Sequence, residues 1–371
     1  MQCETINTGS AGTGLRMISE ADIKFPDIPF RKTAIVIVIG LALYLGFLYF
    51  TGFNNVLDVL RTTDYRIMAL AIIVSLIGNL FHAAGWWTLL KGMKYRISLF
   101  KAYLIYLSST FFVNLIPTAA ISGEVAKVYF IQKSTPDTRF DKTIAAGLMS
   151  RILEIFPTAV GVLVGVVYLA LFTSGIPWWA LTFCFIVAIF FAGIAIGVLI
   201  VLLDNALLRR LAAKGFVLLG RLFKKRSFEA TAQNLDQVLL QFDESLRSLT
   251  RRPGLIAMAL GLIFIAWCFD MSVAYLAFLA VGYSTSVLFV TTVFSVMVVL
   301  QLLPTFLPGG LGFIDILMNV FYKAMGIPRE AADGATIMSR LVTLWFLTAL
   351  GAVVTVYLTR AYGKTAENKS K

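Results

Sequence analysis

Histidine occurs once in this chain of 371 residues, at His82, and cysteine three times, at Cys3, Cys184 and Cys268. The cysteines are widely spaced and two lie in apolar runs, so they suggest neither a disulfide framework nor a metal site. No His/Cys ligand spacing, nucleophile elbow, Walker A loop or dinucleotide fingerprint is present. The sequence therefore points to no catalytic residue, no metal, no cofactor and no ATP coupling within the chain. Charge is scarce too: 14% of residues are charged against 59% hydrophobic, and the mean hydropathy is +0.84. No soluble globular domain has that balance, and the expected fold class is an all-α polytopic membrane protein. The formal net charge of +12 raises nucleic acid as a partner. The basic residues cluster beside hydrophobic runs, however, which favours membrane topology and anionic lipid headgroups instead.

The chain divides into a polar tail (1–32), a first transmembrane half (33–203), a stretch of amphipathic helices (204–253), a second transmembrane half (254–359) and a basic tail (360–371). Nothing in the first tail resembles a cleavable signal peptide. Apolar runs at Thr33–Phe50, Ile67–Leu90, Thr143–Phe172, Ala180–Leu203, Leu255–Val281 and Gly334–Thr359 make about six full spans, each long enough to cross ~30 Å of hydrocarbon. Trp86-Trp87 and Trp178-Trp179 read as interfacial anchors. In 204–253, Leu235, Val238, Leu239, Phe242, Leu246 and Leu249 recur at helical spacing, as expected of helices lying on the membrane.

Two further apolar segments are broken. The first reads Leu115-Ile116-Pro117-Thr118 and is followed by Gly123-Glu124. The second runs Leu302-Leu303-Pro304-Thr305 through Pro308-Gly309-Gly310 to Asp315. Each is followed by Met-Ser-Arg inside an apolar helix, Met149-Ser150-Arg151 and Met338-Ser339-Arg340. The same offset of 189 residues (338 less 149) carries Val164, Val167, Tyr168 and Leu169 onto Val353, Val356, Tyr357 and Leu358. The ordered agreement reads as an internal duplication.

Orientation follows from the basic residues. If the breaks are the tips of re-entrant hairpins, 99–132 entering from the cytoplasm and 284–326 from outside, the outer side holds only Arg61, Arg66, Lys323 and Arg329. Apart from Arg151 and Arg340 inside spans, the rest of the 32 Lys and Arg residues are cytoplasmic, as are both termini. The two Met-Ser-Arg helices then run oppositely, giving an inverted-topology repeat of the kind common in transporters.

Ionisable groups within spans face the protein interior, pair, or line a path. Arg151 and Glu154 are one turn apart and pair on one helix face. This reads either as an ion pair that only orders the bundle, or as part of a site in which Arg151 and Arg340 hold a phosphate with their planar donor forks. Backbone groups freed at Gly309 and Gly310 suit anion binding at the following helix N-terminus. Glu124 and Asp315, just after the breaks, are placed to bind an amine, relay protons, or pair with Lys127 and Arg340. Asp270 has no sequence-local partner, which leaves a proton or charge-relay role open. His82 reads as a hydrogen-bonded core histidine.

Taken together, Ser122-Gly123-Glu124-Val125-Ala126-Lys127-Val128-Tyr129, Ser150-Arg151-Ile152-Leu153-Glu154 and Pro308-Gly309-Gly310-Leu311-Gly312-Phe313-Ile314-Asp315 resemble the lysylphosphatidylglycerol synthase transmembrane (flippase-like) family. In its bifunctional members this region moves an aminoacylated lipid to the outer leaflet and a soluble synthase domain follows. Here the chain stops soon after Thr359, so the resemblance implies translocation without synthesis. Asp315 stands where family members usually have Glu, and the first Gly-Gly-acid pattern reads Ser122-Gly123-Glu124; both changes keep the chemistry.

The expected function is that of a non-enzymatic inner-membrane lipid translocase. Its substrate would be an aminoacylated phospholipid or a polyprenyl-linked glycolipid. The expected binding residues are Arg151, Arg340, Glu154, Glu124, Lys127, Gly309, Gly310 and Asp315, with Asp270 as relay. Partners would be membrane lipids, a separate lipid-modifying enzyme and further copies of the chain. An ion-coupled transporter of a small solute and a membrane-embedded transferase are the alternatives.

Overall fold

The computed structural model describes residues 45, 61–116, 121–135, 140–173, 175–203, 245, 247–302 and 307–367. The expected first span at Thr33–Phe50 apart from Leu45, the two Pro-Thr tips and most of the amphipathic stretch lie outside the described residues.

Helix α1, Tyr65–Gly92, begins where Asp64 accepts a hydrogen bond from the Arg66 N–H at 2.8 Å, a side-chain cap for an otherwise unpaired donor. At 28 residues it is about 42 Å long, ample for one crossing. Helix α2, Leu99–Leu115, is capped by Ser98 and has only 17 residues, about 25 Å, so it falls short of a full span. Helix α3, Ile121–Ser134, turns back along it. The Ser122 hydroxyl donates to the Phe112 carbonyl at 3.0 Å near the tip, and the Lys101 ammonium to the Ser134 carbonyl at 2.9 Å near the base. Together α2 and α3 form an antiparallel hairpin.

Helix α4, Phe140–Phe172, carries Pro157 in its interior. Proline removes the bond to the Leu153 carbonyl, and one residue on the Thr158 hydroxyl bonds the Glu154 carbonyl at 3.0 Å. Helix α5 is Trp178–Leu203 and α6 is Pro253–Ala280. The second hairpin comprises α7, Val287–Leu302, with 16 residues, and α8, Phe313–Ala324. A 3₁₀ turn at Pro308–Gly310 precedes α8. The rings of Phe289 and Tyr322, 6.3 Å apart, join the start of α7 to the end of α8. The last span is α9, Arg329–Arg340, then a π-helical turn, Leu341–Phe346, then α10, Leu347–Glu367.

Five of these helical segments are long and apolar enough to cross a membrane, and no strand occurs among the described residues. The protein is an all-helical, multi-pass membrane protein. Large apolar side chains such as Ile189 and Leu171, each 71% exposed, would be costly in water and are at home against acyl chains.

The packing pairs exchange in a regular way. Helices α1 and α6, both of 28 residues, run antiparallel along their whole length. Gly78 faces Ala266 and Phe269, Gly85 faces Ile263, Gly92 faces Leu255, and the Asp64 N–H meets the Ala280 carbonyl at 2.8 Å. The first hairpin lies against the last span, where Ser108 bonds Thr355 at 2.7 Å and Asn114 bonds Thr348 at 2.9 Å. The second hairpin's α7 lies against α4, with Ser295 against Gly161 and Thr292 against Gly165. Swapping α1 with α6, α2 with α7 and α4 with α9–α10 exchanges the two hairpin contacts and returns the α1–α6 pair to itself.

Candidate functional site

The site is built around the first break. At Gly123 an added Cβ would lie 3.1 Å from the Ser109 carbonyl and against Val113, so glycine lets α3 close on α2. The next residue, Glu124, then reaches α4, where Gly147 leaves room for its carboxylate. One Glu124 oxygen, Oε1, accepts from Lys127 Nζ at 2.8 Å and from Arg151 Nε at 2.9 Å. Arg151 Nη1 donates to Glu154 Oε2 at 3.0 Å. The other Glu154 oxygen lies 3.9 Å from His82 Nδ1, and His82 Nε2 is 2.8 Å from Asp270 Oδ2. Six ionisable side chains from α3, α4, α1 and α6 thus form one row. Lys127 is 1% exposed, its ammonium 4.7 Å from the Tyr106 ring and 5.4 Å from the Trp86 ring. The Tyr106 ring stacks on His82 at 5.9 Å.

The row ends in a cavity of about 190 Å³ between α1, α2, α4, α6 and α7. Its polar end is His82, Tyr106, Arg151, Glu154 and Asp270; its other wall is Pro157, Ile263, Trp267, Phe294 and Val298. Arg151 Nη2 has no hydrogen-bond partner among the described residues, and the buried Trp267 Nε1 is also unpartnered. The arginine keeps N–H groups for an incoming acceptor. Among the described residues no group of three His, Cys, Asp or Glu side chains is placed to hold a metal ion.

A second polar cluster forms at the other break. Asp315, fully buried, accepts from Arg340 Nε at 2.7 Å and from the Gly312 N–H at 2.8 Å. Arg340 Nη2 donates to the Gly309 carbonyl at 2.7 Å. Gly309 has φ 54°, and a side chain there would strike Leu344 in the π-helical turn. Its Cβ position lies 3.5 Å from the Asn114 carbonyl at the end of α2, so the second break adjoins the first hairpin.

Residues 36–351 match the sequence profile of the lysylphosphatidylglycerol synthase transmembrane region. The chain belongs to this family. It is similar to a UPF0104 membrane protein of Pyrococcus horikoshii, 26% identical over 87% of this chain and 96% of the relative. A UPF0104 membrane protein of Methanothermobacter thermautotrophicus is 24% identical over 88% of this chain and 96% of its own. A third, from Methanocaldococcus jannaschii, is 22% identical over 91% and 98%.

In this family member, the structure gathers Glu124, Lys127, Arg151, Glu154 and Asp270 into one row and sets Gly309, Asp315 and Arg340 in the other cluster. Arg340 does not line the cavity that holds Arg151. At the helix N-terminus after the second break, which the sequence suggests for anion binding, the Asp315 carboxylate accepts the Gly312 N–H. The Gly310 and Leu311 N–H groups donate to the Leu307 and Pro308 carbonyls at 3.1 and 3.0 Å. Sequence reasoning passed over His82, Tyr106 and Trp267 as cavity residues. A signal for the first was present: His82 and Asp270 are 188 residues apart, one less than the spacing of the two Met-Ser-Arg motifs.

Proposed function

We propose that this protein is a membrane lipid translocase, moving a phosphate-containing lipid between leaflets without covalent chemistry. The observation that carries the reading is the two-ended cavity, with unused N–H groups of Arg151 at one end and an apolar wall at the other. A lipid has the same two-ended chemistry. Its phosphate would take the donor fork of Arg151 while its chains stay along Pro157, Phe294 and Val298. The cavity, about 190 Å³, holds about six waters at ~30 Å³ each. In this state it fits a phosphate with a small substituent, such as a polyprenyl phosphate or phosphatidylglycerol headgroup; a glycan or an aminoacyl group would project through the mouth.

The exchange of packing pairs, the antiparallel α1 and α6 and the short hairpin helices support an inverted repeat with re-entrant hairpins. Within that repeat, the Arg151–Glu124 and Arg340–Asp315 pairs are counterparts, one open to a cavity and one closed. In the opposite state of the cycle their roles would exchange, so both arginines serve the lipid in turn. The basic residues favour a cell membrane with both termini in the cytoplasm. An aminoacylated substrate would come from a separate lipid-modifying enzyme.

The test is headgroup translocation in liposomes containing the purified protein, with phosphatidylglycerol, its lysyl form and a polyprenyl phosphate assayed separately. One lipid class should move, and Arg151→Ala should slow it at least tenfold with folding intact. If no lipid moves, or movement is indifferent to Arg151, the translocase reading fails.

A further inference from the structure

His82 and Asp270 occupy matching places. Each is the eighteenth residue of its 28-residue helix (82 less 65 equals 270 less 253), and the two helices are antiparallel. Side chains on a helix lean toward its N-terminus. Two residues placed past the midpoints of antiparallel helices therefore lean toward each other, and here they meet at 2.8 Å. The only imidazole in the chain is bonded to a carboxylate at the centre of the α1–α6 pair, in the wall of the cavity.

Every charged or titratable neighbour of that imidazole can be named. From α6 comes Asp270; from α4, Glu154 at 3.9 Å and Arg151 beyond it; from α2, the stacked Tyr106; from α3, Glu124 and Lys127 through Arg151. With the imidazole neutral, three carboxylates face two cations. In that form Nε2 carries the hydrogen donated to Asp270, and Nδ1 presents an open lone pair toward Glu154. Nδ1 is buried and has no hydrogen-bond partner among the described residues. A proton added at Nδ1 makes an imidazolium between two carboxylates and brings the row to neutrality.

Resting on the translocase reading, we propose that His82 and Asp270 form a proton-binding pair that couples lipid movement to the proton gradient. A phosphate arriving at Arg151 adds negative charge beside the row. That charge favours the imidazolium, and by reciprocity the imidazolium favours the phosphate. Proton and lipid phosphate are therefore taken up together from one side and released together on the other. The proton comes from water at the cavity mouth and returns to water when the phosphate leaves.

The experiment uses the full chain in liposomes with the electrical potential shunted and a pH gradient of one unit imposed in either direction. One proton per lipid supports about a tenfold asymmetry in lipid distribution per unit, reversing with the gradient. His82→Gln and Asp270→Asn should bring the two directions to the same value, and Asp270→Glu should keep the asymmetry. Lipid movement with no response to gradient direction overturns the coupling and leaves the translocase standing.

If no lipid moves, or the variants do not fold, the wild-type protein decides. Labelled with ¹⁵N-histidine in detergent, it carries a single reporter imidazole. Adding short-chain phosphatidylglycerol at fixed pH should shift that resonance toward imidazolium. A resonance that the lipid leaves unmoved overturns the proton pair.

Discussion

Arg151 and Arg340 each bond a carboxylate through Nε, yet their side chains are 31% and 7% exposed. Removing Arg340 would strand Asp315, which has no access to water, and the Gly309 carbonyl. Breaking a buried pair from one side costs about 3–5 kcal/mol, so Arg340→Ala should lower the thermal midpoint in detergent by several degrees. Arg151→Ala leaves Glu124 with Lys127 and Glu154 beside the cavity, and should cost much less stability while abolishing transport. Equal losses of stability would contradict the division between a closing pair and a ligand-facing one. At this scale the contacts within one helical turn were legible, since Arg151 with Glu154 and Glu124 with Lys127 follow from spacing alone. His82 with Asp270 was not, because it depends on how two helices far apart in sequence are set in register. Nor does spacing say that Lys127 points inward between Trp86 and Tyr106 instead of toward headgroups.

The central element is the α1–α6 pair, and glycine sets its spacing. Gly78, Gly85 and Gly92 recur every seventh residue on one face. An added Cβ at Gly85 would sit 2.8 Å from Ile263 Cγ1 and 3.3 Å from the Ala259 carbonyl. Gly85→Val should therefore push the helices apart, at a cost of about 1–3 kcal/mol, visible as a lower thermal midpoint. Gly261→Ala on α6 meets nothing within 4 Å and should be neutral or slightly stabilising, as alanine is the better helix former. If both changes behave alike, close packing is not what these glycines provide. Five of the expected spans were readable from length and hydropathy, and the start of α5 from the Trp178-Trp179 turn; the caps Asp64 and Ser98 were not read. The π-helical turn after Arg340 was not readable. Such a bulge comes from the fit of one helix to its neighbours, here where Leu344 of the turn meets Gly309, and leaves no mark in a run of apolar residues.

Across the whole molecule, each hairpin leans on the other half's span that carries Met-Ser-Arg. The Ser108 and Thr355 hydroxyls, 2.7 Å apart, are close enough for a disulfide after substitution by cysteine. In a background lacking Cys3, Cys184 and Cys268, the pair Ser108→Cys with Thr355→Cys should form that bond and stop transport, with activity returning on reduction. Transport that continues through the locked bond would mean the halves need not move at this contact. The two breaks and the two Met-Ser-Arg motifs were visible in the sequence. Which surface of one half meets the other was not, because apolar faces of similar composition carry no address. That arrangement sets a timetable for biosynthesis. Helix α4 cannot meet α7 until Leu302 has been added, nor α2 meet α10 until almost the whole second half is made. At 5–20 residues per second the wait from Phe172 to Leu302 is roughly seven to twenty-six seconds. During that interval Arg151, Glu124, Glu154 and His82 are already made but lack the α6 and α7 walls that enclose them. A newly made first half thus carries its charged row into the membrane before the walls that will enclose it exist.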